Sequence, residues 1–153
     1  MEKEDLYREY RSTRERSKAI CAPLATEDYV VQPITDVSPP KWHLGHTTWF
    51  FEQFVLAKHQ EDYRVFHPDY AFLFNSYYNT MGDRTPRWQR GFTTRPTVDE
   101  IFAYRRHVDE AMDRLCRQPL GREILDLIAV GIHHEQQHQE LLAYDIKYIL
   151  GTQ

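Results

Sequence analysis

The sequence predicts an all-α fold, a four-helix bundle, built as a single domain over residues 1–153. Apolar residues recur at three- and four-residue steps in four separate stretches, as helices with one inward face require. Helix start and stop signals bound those stretches. A chain of 153 residues also suits one domain with a substantial core. There is no internal repeat and no low-complexity segment.

In the first stretch Leu6, Tyr10, Thr13, Ser17, Ile20 and Leu24 recur among many charges, which describes a surface helix with a thin apolar stripe. The turn-rich run from Gln32 to Pro40 ends it. Ser38-Pro39-Pro40 then reads as a helix start, with Ser38 as cap and Pro39 in the first helical position. That second helix is expected to reach about Ala57. The third opens at Thr97-Val98-Asp99-Glu100, a capping box preceded by Pro96. Its apolar series is Val98, Ile101, Arg105 (through its aliphatic stem), Val108, Met112 and Leu115. The fourth begins after Pro119 and Gly121 and runs to Leu150, closed by Gly151.

Between helices two and three, Tyr63 to Arg95 is too long for an ordinary helix connection. It carries Phe66, Tyr70, Phe72, Phe74, Tyr77, Tyr78 and Trp88, so it is expected to pack on bundle core, pocket wall or a partner surface. Aromatic packing alone is its simplest reading.

A net charge of −4 gives no general electrostatic reason to bind nucleic acid or an anionic membrane. Two cysteines, Cys21 and Cys116, fit free thiols in a reducing cytosol. Met1 to Arg16 is densely charged where a signal peptide needs an apolar core, and no transmembrane stretch is visible. A soluble, cytoplasmic protein is expected.

The chemistry is concentrated in His133-His134-Glu135-Gln136-Gln137-His138, inside the fourth helical pattern. At about 100° per residue and with His134 as zero, His138 falls near 40°, Leu127 and Asp145 near 20°, Gly131 and Ile149 near 60°, and Leu141 near −20°. The histidine pair therefore lies along the inward stripe, with His133 at the side of the helix. Gly131 leaves space beside the pair, and Asp145 is either an acceptor for an imidazole N–H or a capped polar group. In helix two, His43 and His46 share a face with Trp42, Phe50, Gln53 and Phe54, and Gly45 allows close backbone approach. Periodicity does not decide which of the two faces helix four. A single histidine on an apolar face is ordinarily a hydrogen-bonded core residue. Two at i, i+4 with a third on another helix favour a metal site. His59, His67 and His107 read as surface histidines, and Cys116 as a packing residue.

His134-Glu135-Gln136-Gln137-His138 also spells the H-E-x-x-H of zinc peptidases. Leu141 and Tyr144 stand where the extended peptidase motif needs Gly and His. Glu135 sits about 100° round the helix from His134. The peptidase reading is a poor second.

The blocks Ser38 to Glu52 (Ser38-Pro39-Pro40-Lys41-Trp42-His43-Leu44-Gly45-His46-Thr47-Thr48-Trp49-Phe50-Phe51-Glu52), Phe74-Asn75-Ser76-Tyr77-Tyr78-Asn79, Arg95-Pro96-Thr97 and His134-Glu135-Gln136-Gln137-His138-Gln139-Glu140 appear in this order. Together they resemble the N-terminal, DinB/YfiT-like four-helix domain of the ergothioneine-biosynthesis sulfoxide synthases, over about Arg14 to Leu150. The resemblance implies non-haem iron(II) held by His46, His134 and His138, with zinc or another divalent ion as the alternative. It implies an oxygen-dependent joining of a cysteine or γ-glutamylcysteine thiol to the imidazole of trimethylhistidine, the sulfur becoming a sulfoxide. Arg87 and Arg90 match the family's arginine pair for the thiol substrate's carboxylates, a role suited to bidentate guanidinium. Gln137 matches a position that helps to orient trimethylhistidine. No catalytic residue is assigned. A sister group of selenium-transferring enzymes shares the plan.

In that family a C-terminal domain resembling formylglycine-generating enzyme completes the pocket and supplies the catalytic tyrosine. This chain stops after the bundle, so the missing part is expected from a longer protein or a partner chain. Two other readings stand beside this one. One is a stand-alone DinB-like divalent-metal protein such as a thiol transferase. The other is a non-catalytic helical dimerisation domain.

Overall fold

α1 (Lys3–Cys21) buries Leu6, Tyr10, Thr13 and Ser17 of the predicted stripe together with Arg14 and Cys21, whereas Ile20 is half-buried and Leu24 lies beyond the helix. Glu4 and Asp5 in its first turn and Lys18 in its last complement the helix dipole. The computed structural model describes residues 1–77 and 84–151. Tyr78 and Asn79, named above in one of the sequence blocks, lie outside the described residues.

α2 (Pro40–Phe50) follows a 3-10 turn, Thr26–Tyr29, and the extended run that the two prolines impose. Ser38 does not cap it. Pro39 takes the cap position without a side-chain bond, while the Ser38 amide donates to Asp145 and its hydroxyl accepts from Arg90. Neither proline has an N–H, so few orphan donors are left for a cap to satisfy. Every residue of α2 is buried. The helix runs on through a π-helical stretch, Phe51–Leu56, into a last α turn, α3 (Ala57–His59). The π stretch shifts the phase of the helix, as an extra residue in a turn must, and Phe51, Glu52, Val55 and Leu56 are all buried there.

The connection holds one helical turn, α4 (Tyr70–Leu73), and one 3-10 turn, Arg87–Gln89. Its aromatic residues divide. Tyr70 and Phe74 are buried, Phe66 stacks on Tyr104, and Phe72 and Trp88 are exposed. Buried Glu52 anchors this segment by accepting hydrogen bonds from the Tyr63 hydroxyl, the Phe66 amide and the Tyr104 hydroxyl.

α5 (Val98–Cys116) opens on the expected capping box: Thr97 Oγ1 accepts from the Glu100 amide at 3.1 Å. Ile101, Val108, Met112 and Leu115 are buried along its inner face. Arg105 corrects the sequence reading, because its guanidinium and not only its stem enters the interior. α6 (Arg122–Gly151) spans 30 residues and packs on both α1 and α2, and α2 also packs on α5. α2 thus lies between α5 and α6 with no face to solvent.

One ionic cluster ties these helices together. Glu135 accepts from Arg14 at 2.9 Å, Arg105 at 2.9 Å and Ser17 at 2.6 Å. Arg14 also donates to Thr48 at 3.0 Å and to Asp109 at 2.7 Å. A buried carboxylate facing two guanidiniums is tolerable only because each oxygen and each fork finds a partner. No helix among the described residues is long and apolar enough to cross a membrane.

Candidate metal centre

The contact between α2 and α6 is close for a local reason. A Cβ at Gly131 would stand 2.4 Å from the Phe51 ring, and one at Gly45 would stand 2.3 Å from the Phe74 ring. Hydrogen at both positions lets Phe51 press on α6 and Phe74 press on α2. The imidazoles of His46, His134 and His138 are brought together in this contact. Each offers one ligand atom, and the three atoms lie within 4.8 Å of one another. His46 is buried, and His134 and His138 are half-buried.

Hydrogen bonds decide which nitrogen each ring presents. His46 Nδ1–H donates to the Phe74 carbonyl at 2.6 Å, so its Nε2 carries a lone pair. That Nε2 faces His134 Nε2 at 3.0 Å, and Ser76 Oγ lies 3.3 Å away. His134 Nδ1 is buried and has no hydrogen-bond partner among the described residues. His138 Nδ1 faces His43 Nδ1 at 2.9 Å, which leaves His138 Nε2 free. His43 Nε2 in turn lies 2.7 Å from Asp145 Oδ2. His43 is therefore not one of the three converging rings. Both histidines of α2 face α6, His46 at His134 and His43 behind His138 at Asp145.

Burial keeps these rings uncharged. It holds His134 down to about 4 and places His46 and His138 well below the usual histidine range, with neighbouring imidazoles adding to the effect. Burial also outweighs Asp145 and lowers His43. Neutral imidazole is the form that ligates a cation.

The residues present fit a divalent ion. Two nitrogens that each bond one ion at roughly 2.1 Å stand about 3 to 3.4 Å apart, which matches the separation of His46 and His134. A nitrogen donor set without carboxylate or thiolate suits zinc, iron, copper or nickel and does not select among them.

Aromatic rings wall the centre. His46 stacks between Trp42 and Trp49, at centroid distances of 4.5 and 5.4 Å, and Phe50 stacks on His134 at 4.9 Å. The Arg90 guanidinium lies 3.5 Å from the centroid of the Trp42 ring and donates to Ser38 Oγ at 3.0 Å. Arg90 makes no ion pair among the described residues, and burial with nearby Arg87 and Arg84 lowers it to about 10. Arg87 stands on an exposed turn and donates to the Asp36 carbonyl at 3.1 Å. Gln137 is exposed on α6 beside His138. Of the residues singled out in the sequence, the three histidines converge and Arg90 lies one ring away. Arg87 and Gln137 stand at the surface.

Glu135 has no access to this centre. It is fully buried on the flank of α6 that faces α1 and α5 with both oxygens engaged, and its two arginine partners hold it down to about 2 despite burial. It is a structural anion and not a general base. The H-E-x-x-H spelling carries no peptidase chemistry here. Nothing in the spacing marks Arg14 or the Phe74 carbonyl as part of the interior polar network. Glu52 had a visible signal, as a lone acid within Trp49-Phe50-Phe51-Glu52-Gln53-Phe54-Val55-Leu56.

No curated protein matches the chain. Residues 9–142, which include all three converging histidines, match the family model of the DinB superfamily, and the chain belongs to that superfamily.

Proposed function

We propose that this chain is the metal-binding domain of a non-haem iron(II), oxygen-dependent sulfoxide synthase, with the four-helix bundle arrangement of the DinB/YfiT-like domains. Its substrates are trimethylhistidine and the thiol of cysteine or γ-glutamylcysteine. The observation that supports this reading is the convergence of His46, His134 and His138 from the two sequence blocks that carry the resemblance. Iron(II) held by three neutral nitrogens supplies open positions for oxygen and substrates.

The chain's own residues bind, orient and exclude water. The Phe74 carbonyl fixes His46 and Asp145 fixes His43 behind His138, while Trp42 and Trp49 keep water from the faces of His46 and Phe50 from that of His134. Arg90 is a cation beside three neutral imidazoles, without a carboxylate partner among the described residues, so an anionic group of the thiol substrate is the complement it takes. Arg87 completes that carboxylate site from the surface turn, and Gln137 orients trimethylhistidine. In this reading a C-terminal domain or partner chain completes the pocket, and the domain alone binds the ion without turnover.

The second reading is a stand-alone divalent-metal protein of the superfamily, such as a zinc-dependent thiol transferase. The nitrogen-only donor set favours it as much as iron. Elemental analysis of anaerobically purified protein reconstituted with iron(II) or zinc, with His134→Ala alongside, tests both. Near-stoichiometric iron, lost in the variant, followed by oxygen-dependent sulfoxide formation once a C-terminal partner is supplied, supports the synthase. Zinc retained against iron, with thiol transfer independent of oxygen, supports the alternative.

A further inference from the structure

His138 differs from the other two imidazoles in what stands behind it. His46 Nδ1–H rests on a neutral backbone carbonyl, and His134 Nδ1 rests on nothing among the described residues. Behind His138 lies a buried chain of two side chains. His138 Nδ1 meets His43 Nδ1 at 2.9 Å, and His43 Nε2 meets Asp145 Oδ2 at 2.7 Å. Asp145 is fixed by a second bond, because the Ser38 amide donates to the same oxygen at 3.1 Å. His43 and Asp145 are both buried, with side-chain exposures of 4% and 6%.

The order of protons along this chain follows from donor and acceptor chemistry. A carboxylate only accepts, so His43 Nε2 must carry the hydrogen that faces Asp145. A neutral imidazole has one N–H, so His43 Nδ1 is then a lone pair. The only hydrogen that can occupy the 2.9 Å gap comes from His138 Nδ1. His138 therefore presents a lone pair at Nε2. We infer that Asp145 and His43 are positioning residues that lock His138 in its Nδ1–H form, hold the ring against rotation and raise the donor strength of Nε2.

This inference rests on the reading of His46, His134 and His138 as a metal centre. A carboxylate behind a ligating imidazole is a recurring way of fixing its tautomer and raising its basicity, and its loss costs roughly 10- to 100-fold in metal affinity. Here a second imidazole is interposed, so the carboxylate acts at one remove. The three ligands are consequently unequal, with His138 the best oriented and His134 the least.

The test has two readouts. Long-range nitrogen–proton NMR on the metal-free, 15N-labelled protein reports the tautomer of each ring. The expected spectrum shows His138 protonated at Nδ1 and His43 at Nε2. A His138 protonated at Nε2 overturns the inference without any variant being made. In parallel, competition with a chromophoric chelator measures zinc affinity for the wild type, His43→Leu, Asp145→Leu and His43→Asn, each checked for helicity and cooperative melting. The leucine variants should bind roughly 10- to 100-fold more weakly. His43→Asn, which still offers an oxygen to His138 Nδ1–H, should recover most of that loss. Folded leucine variants with wild-type affinity overturn the positioning role. A wild type that binds neither zinc nor iron(II) sinks the metal-centre reading itself, while the tautomer spectrum still judges the proton order.

Discussion

His46 Nε2 stands 3.0 Å from His134 Nε2 across the contact between α2 and α6, and the Phe74 carbonyl has already taken the only N–H of His46. At most one proton lies between the two nitrogens, and His134 supplies it. With the His134 proton moved to its unpartnered Nδ1, both Nε2 atoms would offer lone pairs, and an ion there would replace that single weak bond by two strong ones. Metal binding is therefore expected to couple directly to the stability of the α2–α6 contact.

His138→Ala and His134→Ala should each abolish most of the metal content, whereas His107→Ala should leave it unchanged. His107 lies away from the centre and pairs with the Arg64 carbonyl. Elemental analysis of reconstituted proteins checks this, and equal occupancy in the three variants would remove the proposed centre.

Chelation should lower the melting temperature. At an ion concentration about 100 times the dissociation constant, the folded state gains about 2.7 kcal/mol. For a chain of this size that corresponds to roughly 5–10 °C. Calorimetry with and without chelator, repeated on His134→Ala, should show the shift only in the wild type.

Glu135→Ala should be costly for the fold. It leaves the buried guanidinium of Arg105 without its anion and Arg14 with Asp109 alone, a change worth about 3–5 kcal/mol. Urea denaturation measures it. A stable variant that had lost only an enzymatic activity would return Glu135 to the role of a base.

The metal-free protein should lose stability in acid in two stages. His134 is lowered from the ordinary 6.5 to about 4, and His43, His46 and His138 are lowered too, so below 6.5 the unfolded chain takes up protons that the folded one refuses. Stability therefore falls as pH drops from about 6.5 towards 4. Glu135 is lowered from 4.5 to about 2, and its contribution, present above 4.5, is lost as pH falls through that window. Its share is about 3 kcal/mol. Denaturation midpoints between pH 7 and 3 report both, and Glu135→Gln should flatten only the lower stage.

Gly45→Ala should damage the centre from a distance. The new methyl would have to displace the Phe74 ring, a cost of about 1–3 kcal/mol. It would also move the carbonyl that orients His46. Metal affinity should fall along with stability, as titration and melting of one preparation can show together.

Much of this was legible in the sequence. The 3.6-residue period sets the angle of each side chain on its own helix, so the stripe of α1, the inner face of α5 and the inward pair His134 and His138 all follow from spacing. The Thr97–Glu100 capping box is equally local and formed as read. Side chains that meet a partner from another helix did not follow. Ser38 has the sequence context of a cap but serves Asp145 and Arg90, Arg105 sits at a stem position but brings its charge inside, and spacing alone makes His43 and His46 equivalent. Spacing is a property of one helix, whereas these choices depend on which neighbour lies opposite and how far each side chain reaches. Gly45, Gly131 and the π-helical stretch after Phe50 set that register, and it is this packing of α2 on α6 that put His46 in the centre and His43 behind it.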